Sequence, residues 1–232
     1  MFQEHTRSPY QALCALAIPR AAVKRTGLYL FVLMLGGCAV LPDAMPISRL
    51  DVPSSYTQRV PGRWALVVPD TRFNTEIEAP SLACGGMSFP IDMDRAYRQY
   101  LVQGFGQIAD EVVPVDHLLS EGEIRSGRFS GQIVVGSSTF VPNVNFVQHG
   151  FSAYVDSNMA INATMDVDGR GRALLHKTLN VTGISHVNAG LICENATGGL
   201  ARAVDSAMQQ IAIGTASAFS NSADVRLIAD AR

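Results

Sequence analysis

The chain has 232 residues, of which 47% are hydrophobic and 16% are charged, and this composition is that of a globular protein with room for one sizeable core. Its formal net charge is only −2. The sequence therefore lacks the basic excess with which proteins bind nucleic acid or anionic lipid surfaces.

A segment near the amino terminus carries the strongest signal in the sequence. Two basic residues, Lys24 and Arg25, precede the run G-L-Y-L-F-V-L-M-L-G-G-C at residues 27–38. This order of basic, apolar and small residues is typical of an export signal. The apolar part is about ten residues long, whereas a transmembrane helix needs roughly 20. A short membrane anchor or a buried helix is the alternative, but neither explains the Gly-Gly-Cys ending.

The last four residues of this segment, L-G-G-C at 35–38, resemble the lipobox of bacterial lipoproteins. The resemblance implies that residues 1–37 are a signal peptide, that Cys38 is acylated, and that the new amino terminus is acylated after cleavage. An aspartate after the lipidated cysteine commonly keeps such proteins in the inner membrane, and Ala39 stands there instead. The resemblance therefore implies a lipid-anchored protein of the outer membrane that faces the periplasm, with exposure on the cell surface left open.

The first 22 residues make the basic region of the signal unusually long. Translation from Val23 would give a compact signal peptide, and translation from Met1 would give an extended one; both starts stay open. Removal of residues 1–37 leaves 14 basic and 19 acidic residues, a net charge of −5. Anchoring through a polybasic surface is then disfavoured, and the acyl chains must attach the protein to the membrane.

The four cysteines separate by position. Cys14 lies in the predicted signal, Cys38 carries the lipid, and Cys84 and Cys193 remain in the processed chain. In an oxidising periplasm these two residues are a candidate disulfide. Two unpaired, buried cysteines are the alternative.

Residues 38–62 are expected to be a lipidated amino terminus, as the lipobox resemblance implies, followed by a proline-rich tether. The tether is predicted because 39–62 contain four prolines and no periodic pattern. The periplasmic domain covers residues 63–232. Its first strand is 64–68, and the cleanest strand signal is the alternation at 159–168, followed by a hairpin turn and a returning strand at 172–181. Further strands are predicted at 111–115, 131–141 and 145–155, and a loop at 120–130.

Two amphipathic helices are predicted. The first has Asp92 as its N-cap and carries an apolar stripe to Ile108, and the second covers about 198–219. Glycines near the end of the first helix should let it approach a sheet closely, and the small residues of the second should let it lie flat on one. The order of elements predicts an α+β fold, with an antiparallel or mixed sheet packed by the two helices.

Motifs for catalysis and cofactor binding are missing. The sequence has no G-x-S-x-G, no H-E-x-x-H and no phosphate-binding glycine loop. The histidines at 117, 149, 176 and 186 lack ligand spacing, so structural or surface roles are expected. Asp166 and Asp168 begin a calcium-loop pattern, but Lys177 stands where the bidentate acid belongs, which favours a simple hairpin. The sequence predicts a protein that is not an enzyme and has no metal or cofactor.

The pattern of elements in residues 63–219 resembles YajG-type and polysaccharide-export auxiliary lipoproteins of the bacterial envelope. This resemblance implies a non-catalytic structural or assembly and export adaptor with an envelope protein partner or a homo-oligomeric state. The alternative is an envelope hydrolase or a lipoprotein that binds a small ligand. Residues 131–141 and 146–154 carry aromatic side chains among polar ones, which suits a partner surface unless the aromatics fill the core.

Overall fold

The computed structural model describes residues 49–69, 73–80, 84–150, 152–169, 171–190 and 193–230. The predicted signal peptide and Cys38 lie outside these residues. The described part of the chain forms strands and helices in this order: β1 Val60–Val67, β2 Thr75–Glu78, β3 Ser88–Ile91, α1 Asp94–Ile108, β4 Ala109–Val115, α2 Glu121–Ser126, β5 Gly131–His149, β6 Ser152–Gly169, β7 Arg172–Gly190, α3 Ala196–Asn221 and α4 Ala223–Asp230.

Five of the strands form one mixed sheet in the order β4-β1-β5-β6-β7, and β2 and β3 form a separate two-stranded ribbon. Strands β4 and β5 run parallel to β1, whereas β5, β6 and β7 are antiparallel neighbours. Helix α1 makes the crossover that returns the chain to the start of a parallel strand. The predicted α+β class, with a mixed sheet packed by two long helices, is confirmed.

The core lies between one face of the sheet and the helices α1 and α3. Along β6 the odd-numbered residues are buried and the even-numbered ones are not, because side chains alternate between the faces of a strand. Trp64 of β1 is fully buried, and its ring meets Phe219 edge to face with centroids 5.0 Å apart. Phe105 of α1 packs on the same Phe219 ring at 5.6 Å. These rings join the sheet, α1 and α3 into one core.

Helix α3 lies directly on β7 because the residues at the contact are small. A Cβ atom on Gly183 would stand only 1.7 Å from the carbonyl oxygen of Ala203 and 2.7 Å from the nitrogen of Ala207. The prediction that small residues bring this helix onto the sheet is therefore confirmed. A Cβ atom on Gly104 of α1 would stand 3.1 Å from the carbonyl oxygen of Ala212 in α3. This glycine therefore brings α1 close to α3, and the predicted approach of α1 to a sheet was wrong at this position.

The same helix also covers the outer edge of β7. Gln210 Nε2 donates a hydrogen bond to the Thr182 carbonyl oxygen at 3.0 Å. This carbonyl points away from β6, since a side chain beyond the sheet binds it. A helix over an edge strand prevents that edge from pairing with another chain.

Residues 49–59 precede β1 and contact the domain. Leu50 is buried, and its carbonyl oxygen accepts a hydrogen bond from the Gln107 side chain at 2.9 Å. The Arg59 side chain donates to the Gln107 carbonyl oxygen at 3.2 Å. The Arg226 guanidinium lies 3.8 Å from the centre of the Tyr56 ring. The chain thus enters the domain along the carboxyl end of α1 and along α4.

Two helix predictions need correction. Helix α1 begins at Asp94 after Met93, whose buried side chain makes no capping bond, so Asp92 is not the N-cap. The predicted loop at 120–130 contains α2. Ser120 and Glu123 form a reciprocal capping box there, a signature that a search for long apolar stripes misses. Helix α4 was also not predicted.

The predicted break between strands at 141–145 was wrong, because β5 runs unbroken from Gly131 to His149. Pro142 lies in the middle of this strand, where its missing N–H does no harm on an open edge. The chain turns at Gly150 instead, which has φ +60°. Strand β7 likewise continues to Gly190, beyond the predicted end of its pairing at 181.

The capping box gives a measurable prediction. The hydroxyl of Ser120, its backbone N–H and His117 together lower the pKa of Glu123 from 4.5 to about 2. The carboxylate therefore supports α2 above pH 4.5, and this support is lost as the pH falls from 4.5 through about 2. Ser120→Ala removes the largest cause and should raise the pKa of Glu123 towards 4.5 in an NMR titration. Ser126→Ala removes a hydroxyl at the other helix end and should leave it near 2.

Candidate functional site

The three antiparallel strands extend well beyond the rest of the sheet. Strand β5 continues for 15 residues past Val134, the last residue that it pairs with β1. At about 3.3 Å per residue this extension is about 50 Å long. We call this extension of the three strands the arm. It includes Val134 and the residues level with it, and consists of residues 134–149 of β5, 152–166 of β6 and 176–190 of β7.

One face of the arm is covered by α3 and the core, and no element in the described part of the chain covers the other face. We call the open side the polar face; its exposed apolar members include Val141 and Ile184, which are 56% and 71% exposed. The remaining side chains are mostly amides, hydroxyls and imidazoles. By strand register, the polar face carries Thr139, Val141, Asn143, Asn145, Val147 and His149 of β5, Tyr154, Asp156, Asn158, Ala160, Asn162, Thr164 and Asp166 of β6, and His176, Thr178, Asn180, Thr182, Ile184, His186 and Asn188 of β7.

Two cross-strand pairs of aspartate and histidine lie on the polar face. His176 Nδ1 is 2.6 Å from Asp166 Oδ1, and His186 Nδ1 makes the same contact with Asp156 Oδ1. With Nδ1 protonated, each ring donates a hydrogen bond to its carboxylate and turns Nε2 away from it. Each pair therefore fixes the orientation of an exposed imidazole.

The pair of Asp156 and His186 belongs to a pocket near the end of the arm. The pocket has a volume of about 340 Å³ and is lined by Val147, His149, Tyr154, Asp156 and His186. The Tyr154 ring stacks on His186 at 5.6 Å with an angle of 19° between the ring planes, and it meets His149 edge to face at 5.5 Å. The result is a group of three rings beside one carboxylate.

Sequence reasoning did not bring these residues together. His149, His176 and His186 are far apart in the chain, and only strand pairing places them on one face. A signal did exist, because both Asp–His pairs lie at the same register across the hairpin. Extending the predicted hairpin of 159–181 in both directions would have paired them.

The two cysteines that the sequence left for a disulfide are bonded to each other. The Cα atoms of Cys84 and Cys193 are 5.3 Å apart across the bridge. Both residues have left-handed backbones, with φ of 60° and 58°, a conformation that costs non-glycine residues free energy. The bridge ties the turn between β2 and β3 to the start of α3.

Two of the three described aromatic side chains in the predicted partner segments point inward. Phe140 meets Phe73 at 5.9 Å, and Phe146 stacks on Phe89 at 5.8 Å. These rings fix the β2–β3 ribbon to the arm, so for them the core interpretation is correct. Among the described aromatic residues of these segments, Tyr154, with its neighbour His149, faces the open side.

The core contains one notable titratable group. Tyr97 is fully buried, its hydroxyl has no hydrogen-bond partner among the described residues, and burial raises its pKa above the usual 10.

Within the described residues, no three or more His, Cys, Asp or Glu side chains are grouped so that they could hold a metal ion. No helix in the described ranges is long and apolar enough to cross a membrane.

No protein-family model matches the chain, and no curated protein matches it. Among solved structures it is similar to a Xanthomonas campestris protein of the family DUF330, with 11% identity and a TM-score of 0.45 over 73% of this chain and 90% of that one. A minor lipoprotein of Acinetobacter baumannii has 10% identity and a TM-score of 0.35, over 68% and 90%. A hypothetical protein of Chlamydia trachomatis has 10% identity and a TM-score of 0.32, over 68% and 97%. Likenesses at this level do not carry a function from one protein to another.

Proposed function

We propose that this protein is a lipoprotein of the outer membrane, anchored through Cys38, that acts without catalysis as an adaptor in the cell envelope. The lipobox supports the anchor. The observation that supports the adaptor role best is the arm, which offers an unpaired strand edge to a protein partner. A protein that binds by strand addition needs no catalytic group, only a free row of backbone donors and acceptors.

The arm and the entry of the chain lie at opposite ends of the domain. Strand β1 starts at Val60, beside the strap of residues 49–59, and runs towards the arm. Ten residues lie between Cys38 and Arg49, so this stretch spans at most about 40 Å. The end of the arm lies at the end of the sheet opposite to the strap.

The free edge belongs to β5 above Val134. In the described part of the chain no strand pairs with this side of β5. The Thr182 carbonyl of β7 points outward to Gln210, so Thr182 and its partner on β6, Ala160, do not hydrogen-bond to each other. The backbone groups of Ala160 therefore point the other way, to Val141 of β5. Since hydrogen-bonded and open pairs alternate, the next residue, Pro142, directs its backbone to the free side. Every second residue from Pro142 then presents unpaired groups to a partner strand.

The experiment replaces Val144, two residues after Pro142, with proline. Its N–H points to the free side, so Val144→Pro should leave the β5–β6 pairing intact while blocking an added strand. Val144→Ala is the matched control, because it removes the same side chain and keeps the N–H. After crosslinking in intact cells, the complex recovered from the outer-membrane fraction should fall at least tenfold for Val144→Pro and persist for Val144→Ala.

Both variants must keep the buried environment of Trp64, which is the only tryptophan of the chain and reports folding by fluorescence. Equal recovery of the complex from the two variants would contradict binding through this edge. A monomer that turns over a cell-wall or lipid substrate would contradict the adaptor role as a whole.

A further inference from the structure

We propose that the polar face of the arm binds a neutral glycan chain, and that the pocket beside Tyr154 holds one of its sugar rings. This surface is distinct from the β5 edge, since it is formed by side chains that stand perpendicular to the sheet. The two binding events can therefore be separated by mutation.

The charge of the polar face selects the class of ligand. Among the described residues of this face there is no Lys or Arg, and the carboxylates of Asp156 and Asp166 each contact a histidine. A surface without Lys or Arg has no permanent positive charge with which to attract nucleic acid, anionic lipid or other polyanions. Its six asparagines and four threonines supply both donors and acceptors without charge. An uncharged polymer rich in hydroxyl groups is complementary to such a surface.

The pocket has the groups that hold a sugar ring. Tyr154 and His186 form a stacked pair, and the His186 side chain is 66% exposed. An exposed face of this pair can attract the polarised C–H groups on one face of a pyranose. Asp156 uses one oxygen for His186, and its second oxygen can accept hydrogen bonds from sugar hydroxyls. The volume of about 340 Å³ lies at the lower end of small-molecule sites. Ring contact and hydroxyl contact thus converge in one place.

The same geometry argues against a metal ion. His149 belongs to β5 and His186 to β7, and β6 with Tyr154 lies between these strands. Among the described residues no three His, Cys, Asp or Glu side chains are grouped so that they could hold a metal ion.

A second contact region makes an extended ligand fit better than a single sugar. Val141 pairs with Ala160, and Ile184 pairs with Asn158 two residues away along β6. Both apolar side chains are exposed and form an apolar spot among asparagines. Ala160 is six residues from Tyr154 along β6, which is about 20 Å. An oligosaccharide that occupies the pocket can reach this spot, whereas a monosaccharide cannot.

The test measures binding of two neutral oligosaccharides, the β-1,4-linked hexamer of N-acetylglucosamine and maltohexaose, to the processed domain by calorimetry and NMR. We expect at least one of them to bind with a sub-millimolar Kd and to shift the amide signals of Asn158 and Ala160. Tyr154→Ala should weaken this binding at least tenfold, and Tyr154→Phe should keep most of it because the ring remains. Lys177→Ala is the matched control and should bind like the unaltered protein, because Lys177 is exposed on β7 but pairs with Met165, whose side chain is on the opposite face of the arm.

Three results would overturn the proposal. The first is that neither hexamer binds at millimolar concentration, and the second is that Tyr154→Ala binds as tightly as the unaltered protein. The third is that the protein partner identified by crosslinking displaces the bound hexamer, because the face would then be a protein-binding surface. The emission of Trp64 shows whether Tyr154→Ala is folded. Val144→Pro should bind the oligosaccharide normally, so failure of the glycan test and failure of strand addition are distinguishable.

Discussion

Replacing Gly183 with alanine is expected to destabilise the protein by about 3 kcal/mol or more. The added methyl group would stand 1.7 Å from the carbonyl oxygen of Ala203 and 2.7 Å from the nitrogen of Ala207. Both atoms belong to the backbone of α3, which cannot rotate aside as a side chain would. The helix must therefore move off β7, and the contacts between α3 and the sheet are lost together. A domain with a total stability of 5–15 kcal/mol loses a large part of it.

Gly136→Ala is the matched control for this substitution. Gly136 is also in a long strand, but an added Cβ would lie 3.8 Å from the nearest atom, Thr164 Oγ1, which is an ordinary contact. Its stability should change by less than about 0.5 kcal/mol. Urea unfolding followed by the emission of Trp64 measures both variants. Equal stability of Gly183→Ala and Gly136→Ala would show that α3 does not lie against β7 as closely as described.

Removal of the disulfide should produce the second large effect. Cys84 and Cys193 are 109 residues apart, and closing a loop of this length stabilises a fold by about 4–5 kcal/mol in the chain-entropy model. The left-handed backbones of both cysteines cost free energy that relaxes once the bridge is absent. We therefore expect the double variant Cys84→Ala, Cys193→Ala to lose about 2–4 kcal/mol.

A thermal unfolding experiment measures this loss. For a domain of this size each kcal/mol lowers Tm by about 2–4 °C, and a reducing agent should lower the Tm of the unaltered protein by a similar amount. The same reagent should not affect the double variant. An unchanged Tm of the unaltered protein under complete reduction would show that the bridge does not support the fold.

The arm shows how far sequence patterns reach in this protein. The alternation at 159–168 gave the buried side of β6, and the turn after it gave the partner strand. The pattern could not show that the strands continue to His149 and Gly190, because Pro142 and the asparagines around it are usual signs of a turn. An open edge tolerates proline, and openness of an edge is a property of the whole sheet.

The candidate site was harder to predict for a similar reason. Tyr154, Asp156 and His186 come from two strands, and His149 comes from a third. No local spacing links them, since the contacts form only when the register of β5, β6 and β7 is set over their full length. The sequence predicted part of β6 and of β7, the two strands that carry the Asp–His pairs. The pocket, however, is formed by residues of β5, β6 and β7 together.

The sequence by itself determined the features that depend on neighbouring residues. These are the apolar stripes of α1 and α3, the alternation in β6 and the choice of Cys84 and Cys193 as the candidate pair; the lipobox at 35–38 stays a prediction from the sequence. Tertiary structure decided what depends on distant residues meeting: the parallel placement of β1 beside β4 and β5, the contact at Gly183, and the grouping of rings around Tyr154. Local patterns report which side of an element is buried, whereas long-range packing decides what lies against it. For that reason the fold class followed from the chain, while the open face of the arm became visible only in three dimensions.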